Sequence, residues 1–270
     1  MKKRLPTAIL IIVFLTGLSL LLYPAISDWW NSFHQSRAIV DYVRDVEHLD
    51  DDTYQRILTE AEVYNEALVN RGNRFDLSEQ EIEEYNAVLD ISGTGIMGYI
   101  EIPEIQVSLP VYHGTSEAVL SIAVGHIEGS SLPVGGESTH CVLSGHRGLP
   151  SAKLFSNLDK LAEGDTFLIR ILNETLTYEV DQIRIVEPQE IGSLAIEEGK
   201  DYCTLVTCTP YGINTHRLLV RGRRIENAEE AQSVRITSDA IQIEPKIVAP
   251  MVAAPILLIL VIIVFIRSRK

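Results

Sequence analysis

The sequence predicts a mainly β protein: a barrel of short strands behind a helical extension, flanked by two apolar spans. Three observations carry this. From Ile96 onward, short runs of alternating apolar residues are separated by turn residues, the pattern of a closed all-β sheet. Residues 28–70 repeat their apolar positions at helical spacing instead. Apolar runs occupy both extremes, about 7–26 and 247–266, each near the roughly 20 residues that cross a bilayer. The chain of 270 residues then divides into 1–27 (basic tail and first span), 28–95 (helical extension), 96–226 (barrel), 227–246 (linker) and 247–270 (second span and basic tail).

The ends fix an orientation. Lys2, Lys3 and Arg4 precede the first run, and Arg267, Arg269 and Lys270 follow the second. Basic residues outside both runs predict that both termini are cytoplasmic and that the middle lies outside the membrane. All 37 acidic residues belong to that middle; with six of the 23 basic residues in the tails, 17 remain there, a charge of −20. Such a surface is a poor match for nucleic acid. Tyr23 to Ser27 also fits a signal-peptidase site, which leaves a cleaved leader as the rival to a retained anchor.

In the extension, Ala38, Ile39, Tyr42, Val43 and Val46 form one helical stripe. Asp51 or Asp52 caps a second helix bearing Tyr54, Ile57, Leu58, Ala61 and Leu68. Residues 71–95 form a break, within which Ser78 and Glu81 have capping-box spacing for a short helix. Strands are then expected at 98–103, ending at Pro103, and 107–112, with Pro110 near its end, and near 139–144, 165–172, 175–186, 202–208 and 217–225. A helix is expected near Ser151–Leu161, after Leu149-Pro150, and Leu132 to Gly136 reads as a loop.

The segment from Thr204 to Arg221 carries the chemistry. An apolar β-rich run ends at Cys208, and a second opens at Arg217. Facing positions in a hairpin keep a constant sum, so a hairpin centred near Gly212 sets Cys208 opposite Arg217. A fixed cation there favours a thiolate and can hold an oxyanion. A separate strand, from Thr139, ends in a turn that carries His146. Imidazole titrates near neutral pH and can move protons at the site. Cysteine, histidine and arginine, each at a strand edge, are the parts for acyl transfer through a thioester.

Rival residues have weaker settings. His216 points away from the face of Arg217 on a strand, and His140 reads as a strand residue. Cys141 and Cys203 read as small buried apolar residues. Arg147, Arg221 and Arg223 read as structural or surface groups. Ser144 and Thr207 flank the site, to orient His146 or line a groove. No metal-ligand spacing occurs, and no cofactor is expected.

The ordered set Gly-His-Arg-Gly-Leu-Pro (145–150), Thr-Cys-Thr-Pro (207–210) and Asn-Thr-His-Arg-Leu-Leu-Val-Arg-Gly (214–222) resembles the sortases, membrane transpeptidases of Gram-positive bacteria. The resemblance covers about 96–226 and implies an eight-stranded sortase β-barrel. It implies Cys208 as the nucleophile that forms the acyl-thioester, His146 as general acid and base, and Arg217 as the stabiliser of oxyanion or substrate. The bond attacked would be Thr–Gly in a Leu-Pro-x-Thr-Gly-like sorting signal.

Gly-Tyr-Ile-Glu-Ile-Pro (98–103), Leu-Pro-Val-Gly-Gly-Glu (132–137) and the second span are similar to the pilus-assembling group, class C. That group's acceptor is a pilin lysine, and its extension carries a lid over the site. The family lid commonly holds Asp-Pro and an aromatic. Asn73-Arg-Phe-Asp-Leu77 is the nearest stretch and lacks the proline. In it Phe75 is the expected plug and Asp76 the expected partner of Arg217. The alternatives are a sortase that anchors surface proteins to a peptidoglycan amine, a plain cysteine protease, and a membrane-tethered scaffold without catalysis.

Overall fold

The computed structural model describes residues 5–227; the expected linker beyond them and the second span lie outside the described residues. Helix α1 runs from Leu5 to Glu47 without interruption, through Pro24 and across the boundary at 27/28. At 1.5 Å per residue its 43 residues extend about 65 Å. Its apolar stretch has a mean hydropathy of 2.5, buries none of its residues, and is long and apolar enough to cross a membrane. The far half turns amphipathic: Ile39, Tyr42 and Val46 are buried against Ile96 and Tyr99. The Tyr42 hydroxyl accepts the Leu172 amide at 2.8 Å.

Helix α2, Asp51–Val69, is capped by Asp50, whose carboxylate accepts the Thr53 amide. Sequence spacing pointed to Asp51 or Asp52. The cap needs an extended backbone, which Asp50 has, and its two neighbours complete an acidic first turn. Helix α2 is pinned by buried Asn65, which exchanges two hydrogen bonds with the backbone of Leu132. Helix α3, Glu79–Ala87, starts at the expected capping box of Ser78 and Glu81. Its Tyr85 is fully buried and bonds His126 and the Gly114 amide.

Eight strands close into a barrel in the order β1-β2-β3-β4-β7-β8-β6-β5. They are β1 Ile96–Ile102, β2 Val107–His113, β3 Val124–His126, β4 Thr139–Ser144, β5 Thr166–Ile171, β6 Glu174–Val186, β7 Asp201–Thr209 and β8 His216–Ile225. Seven match the expected segments within two residues. Strand β3, three residues long, is too short to show a period. Inward positions such as Ile100, Leu143, Phe167, Tyr178 and Leu205 fill the barrel. Each strand in that order has a hydrogen-bonded neighbour on both sides, as closure requires.

The helix expected near 151–161 does not form. The segment is a chain of turns ending in one 3-10 turn, Leu158–Lys160. Leu154 sits at φ 38°, a value a right-handed helix cannot accommodate. The turns let Ala152, Leu154, Phe155 and Leu158 all enter the core. A regular helix would turn some of these residues to solvent.

Candidate active site

The β7–β8 ladder is antiparallel and pairs Cys208 with Arg217, one step before Thr209 and His216 at the turn. Core positions on β7 are Cys203 and Leu205, so Cys208 lies on the outer face with Val206. Arg217 shares that face with Leu219 and Arg221. Of the three free cysteines, Cys141 and Cys203 are buried and Cys208 is half-buried. A reagent in solution therefore meets one thiol.

His146 arrives by a parallel route. Strands β4 and β7 run in register from Thr139↔Asp201 to Ser144↔Val206. Two residues further along each chain stand His146 and Cys208. The ladder continues past β4, with the Gly145 amide donating to Val206 O at 3.0 Å. Thr207, facing inward, donates its hydroxyl to Gly145 O at 2.7 Å. Thr207 therefore holds the residue that precedes the histidine, and Ser144 lies on the outer face beside Val206. Glycine is required at 145, where a Cβ would come within 2.7 Å of the Phe155 ring.

The surroundings of His146 are polar and open. Its Nε2 is 3.6 Å from a carboxylate oxygen of Glu117, in helix α4, Glu117–Leu120. That carboxylate is 84% exposed, so water screens the pair strongly. Arg147 turns away, to Asp159 at 2.5 Å and the Thr209 hydroxyl at 3.3 Å. Arg217 donates to Asn214 O at 3.3 Å and His216 O at 3.1 Å. Both acceptors are neutral carbonyls in an exposed turn. An oxyanion next to Cys208 would be a stronger acceptor for the same guanidinium.

Down the sheet from Cys208 the outer face is apolar. Val142, Val186, Leu194, Val206 and Leu219 form a cluster, and Phe75 packs on it with Ile127. Phe75 thus packs on the cluster that includes Val206 and Leu219, the same-face neighbours of Cys208 and Arg217. Beside it Arg74 is buried, with its guanidinium 4.8 Å above the Phe75 ring. Arg74 also donates to Leu194 O, and burial lowers its pKa. Sequence reasoning named Phe75 and passed over Arg74, whose partner is 120 residues away. The pairing of Asp76 with Arg217 does not occur. Asp76 accepts instead from Asn73 at 3.2 Å, and its backbone bonds Asn73 and Arg71.

The other polar side chains near the site bond to partners within the fold. Buried His140 donates from Nδ1 to Ala195 O at 2.7 Å, leaving Nε2 to accept the Thr204 hydroxyl at 2.7 Å. Burial lowers its pKa to about 4. Arg221 makes a two-pronged contact with Asp181 at 3.0 and 2.9 Å and stacks 4.0 Å above Tyr202. His216 bonds its neighbour Thr215. Among the described residues no cluster of three or more His, Cys, Asp or Glu could hold a metal ion.

Comparison with known proteins identifies the family of this fold. The sortase domain model matches residues 100–225. A crystal structure of sortase C1 from Streptococcus agalactiae is 57% identical, with a TM-score of 0.70 over 71% of this chain and 100% of that one. A sortase C structure from Streptococcus pneumoniae is 43% identical, with a TM-score of 0.64 over 71% of this chain and 97% of that one. Sortase D of Bacillus subtilis (strain 168) is 30% identical over 131 residues, 47% of this chain and 63% of that protein. The chain spans 47 to 63% of the length of the first curated relatives it matches.

Proposed function

Because the chain belongs to the sortase family, we propose that it is a membrane-tethered cysteine transpeptidase whose donors carry a Leu-Pro-x-Thr-Gly-like signal and whose acceptor is a pilin lysine. The observation that carries the proposal is the meeting of two registers at one sheet corner. The antiparallel pair fixes Cys208 against Arg217, and the parallel pair leads His146 toward Cys208.

The chemistry follows from those positions. The Cys208 thiolate attacks the threonine carbonyl carbon of the signal, and Arg217 donates to the oxygen as it gains charge. The C–N bond then breaks, and His146 gives its proton to the departing glycine amine. The threonine acyl group stays on Cys208 as a thioester, which an amine attacks more readily than an amide. His146 takes the proton from the incoming amine, and an amide or isopeptide bond replaces the thioester.

Two features favour a pilin acceptor. Solved structures that match about 71% of this chain include sortase C proteins, and the one from Streptococcus pneumoniae provides insight into pilin substrate specificity. The extension also lays Phe75 and Arg74 across the apolar face, consistent with a lid that the donor must displace. The tether is assigned to the first half of α1, with Lys2, Lys3 and Arg4 on the cytoplasmic side.

Acceptor choice is tested by mixing the enzyme with a sorting-signal peptide and two competing amines. These are a lysine-bearing pilin fragment and a peptidoglycan stem peptide with a free amine. The proposal expects the pilin conjugate to dominate. Dominance of the stem-peptide conjugate would assign the chain to wall anchoring, and release of free acid alone would make it a protease.

A further inference from the structure

The foot of α1 reaches the loops that frame the histidine. Asp28 Oδ1 accepts the Lys153 amide at 2.9 Å, and its other oxygen lies 3.6 Å from the Lys153 ammonium. Asn31 Nδ2 donates to Ser151 O at 2.8 Å. One further turn along, Gln35 Nε2 donates to Ile122 O at 2.6 Å. Positions 28, 31 and 35 follow the three-and-four spacing of a single helix face.

Both targets of that face border His146. Ser151 and Lys153 lie in the loop that leaves the histidine and folds back on it. There the Phe155 amide donates to His146 O at 3.1 Å, and the Gly148 amide donates to the Ser156 hydroxyl at 3.0 Å. Ile122 closes the segment that carries Glu117, whose carboxylate is 3.6 Å from the imidazole. Residues 147–156 contain no helix or strand. Their order therefore depends on contacts such as these, which span about 120 residues of sequence.

The same turn of α1 sits where its apolar run ends. Trp29, Trp30 and Phe33 are 47%, 57% and 55% exposed there. Aromatic rings of this kind concentrate at the boundary between bilayer and water.

We propose that Asp28 and Asn31 are positioning residues for His146: from the membrane-proximal turn of α1 they hold the 147–156 loop, and through it the imidazole, in register with Cys208. The inference rests on the transpeptidase reading above and deepens it. The membrane helix is then part of the active-site scaffold as well as a tether. Neither side chain touches the reacting atoms; each acts through the loop backbone.

The test uses the full chain in liposomes, with a sorting-signal peptide and an amine acceptor. The double variant Asp28→Ala/Asn31→Ala is expected to lower kcat about tenfold, with KM for the peptide within about twofold of wild type. Reaction of Cys208 with a methanethiosulfonate, which needs no general acid, should stay within about twofold. Amide exchange should quicken in residues 147–156. Asp28→Asn keeps an acceptor for the Lys153 amide and should recover most of the kcat that Asp28→Ala forfeits. Unchanged kcat and unchanged loop exchange in the double variant would overturn the inference. So would a parallel fall in kcat, thiosulfonate reactivity and Tm, which marks a general loss of fold. A wild-type chain inert toward every peptide would remove the transpeptidase reading and this inference together; an active wild type matched by the double variant removes the inference alone.

Discussion

Cys208 and Arg217 stand directly opposite one another across the β7–β8 ladder, on the face that carries Val206 and Leu219. The guanidinium bonds two turn carbonyls, Asn214 O and His216 O, and no carboxylate among the described residues. It is therefore tethered near the thiol without being neutralised by a fixed ion pair.

Arg217→Ala is expected to lower kcat for thioester formation about 100-fold, the scale of losing one oxyanion donor. KM for the peptide should change less, because the donor is used most fully in the transition state. Tm should hold steady, since Arg217 gives up only exposed hydrogen bonds to neutral carbonyls. Single-turnover kinetics on the peptide measures this. A large rise in KM with kcat unchanged would place Arg217 in ground-state binding instead.

Phe75→Ala should speed reaction of Cys208 with a thiol reagent, because the ring packs on the apolar cluster that borders the thiol. Gly129→Ala tests the same cover from beneath. A Cβ at Gly129 would come within 1.9 Å of Arg74 O, and φ there is 82°, so the segment would have to lift. Cys141 and Cys203 are buried and should stay unmodified until the chain unfolds. An unchanged rate in both variants would show that the segment does not guard the thiol.

His140 should make stability fall on the acid side. Its folded pKa is lowered to about 4 by burial, against about 6.5 in an unfolded chain. Below pH 6.5 the unfolded state takes up a proton that the folded state refuses, so stability present at neutral pH is lost as pH falls toward 4. The full loss is about 3 kcal/mol. His140→Gln removes this titration and should flatten urea-derived stability between pH 6.5 and 4. An acid limb as steep as wild type would assign it to other groups.

Local geometry made part of this legible in the sequence. The pairing of Cys208 with Arg217 follows from the constant sum of a hairpin centred near Gly212, and the β4 and β7 boundaries follow from alternation ended by turn residues. Ser78 and Glu81 cap α3 because both partners of a capping box lie within four residues. Contacts between distant segments were not legible. The apolar residues of 151–161 satisfy helical spacing, yet they are placed by Phe155 returning to His146 and by Leu154 in a left-handed backbone. Arg74 finds Leu194, and Asn31 finds Ser151, across 120 residues each. Asp76 is drawn to Asn73, three residues away, before it can reach Arg217. The corresponding positions of His146 and Cys208, each two residues past Ser144↔Val206, needed the parallel β4–β7 register, which no periodicity reveals.

The most direct measurement is intact mass of the chain after brief mixing with a Leu-Pro-x-Thr-Gly peptide, followed by an acid quench. The account predicts an adduct equal to the peptide acyl fragment up to threonine, released by hydroxylamine as a thioester would be. It predicts no adduct in Cys208→Ala, and accumulation of the adduct in wild type when no amine acceptor is supplied. An adduct that persists in Cys208→Ala would contradict the account, as would turnover of the peptide in that variant.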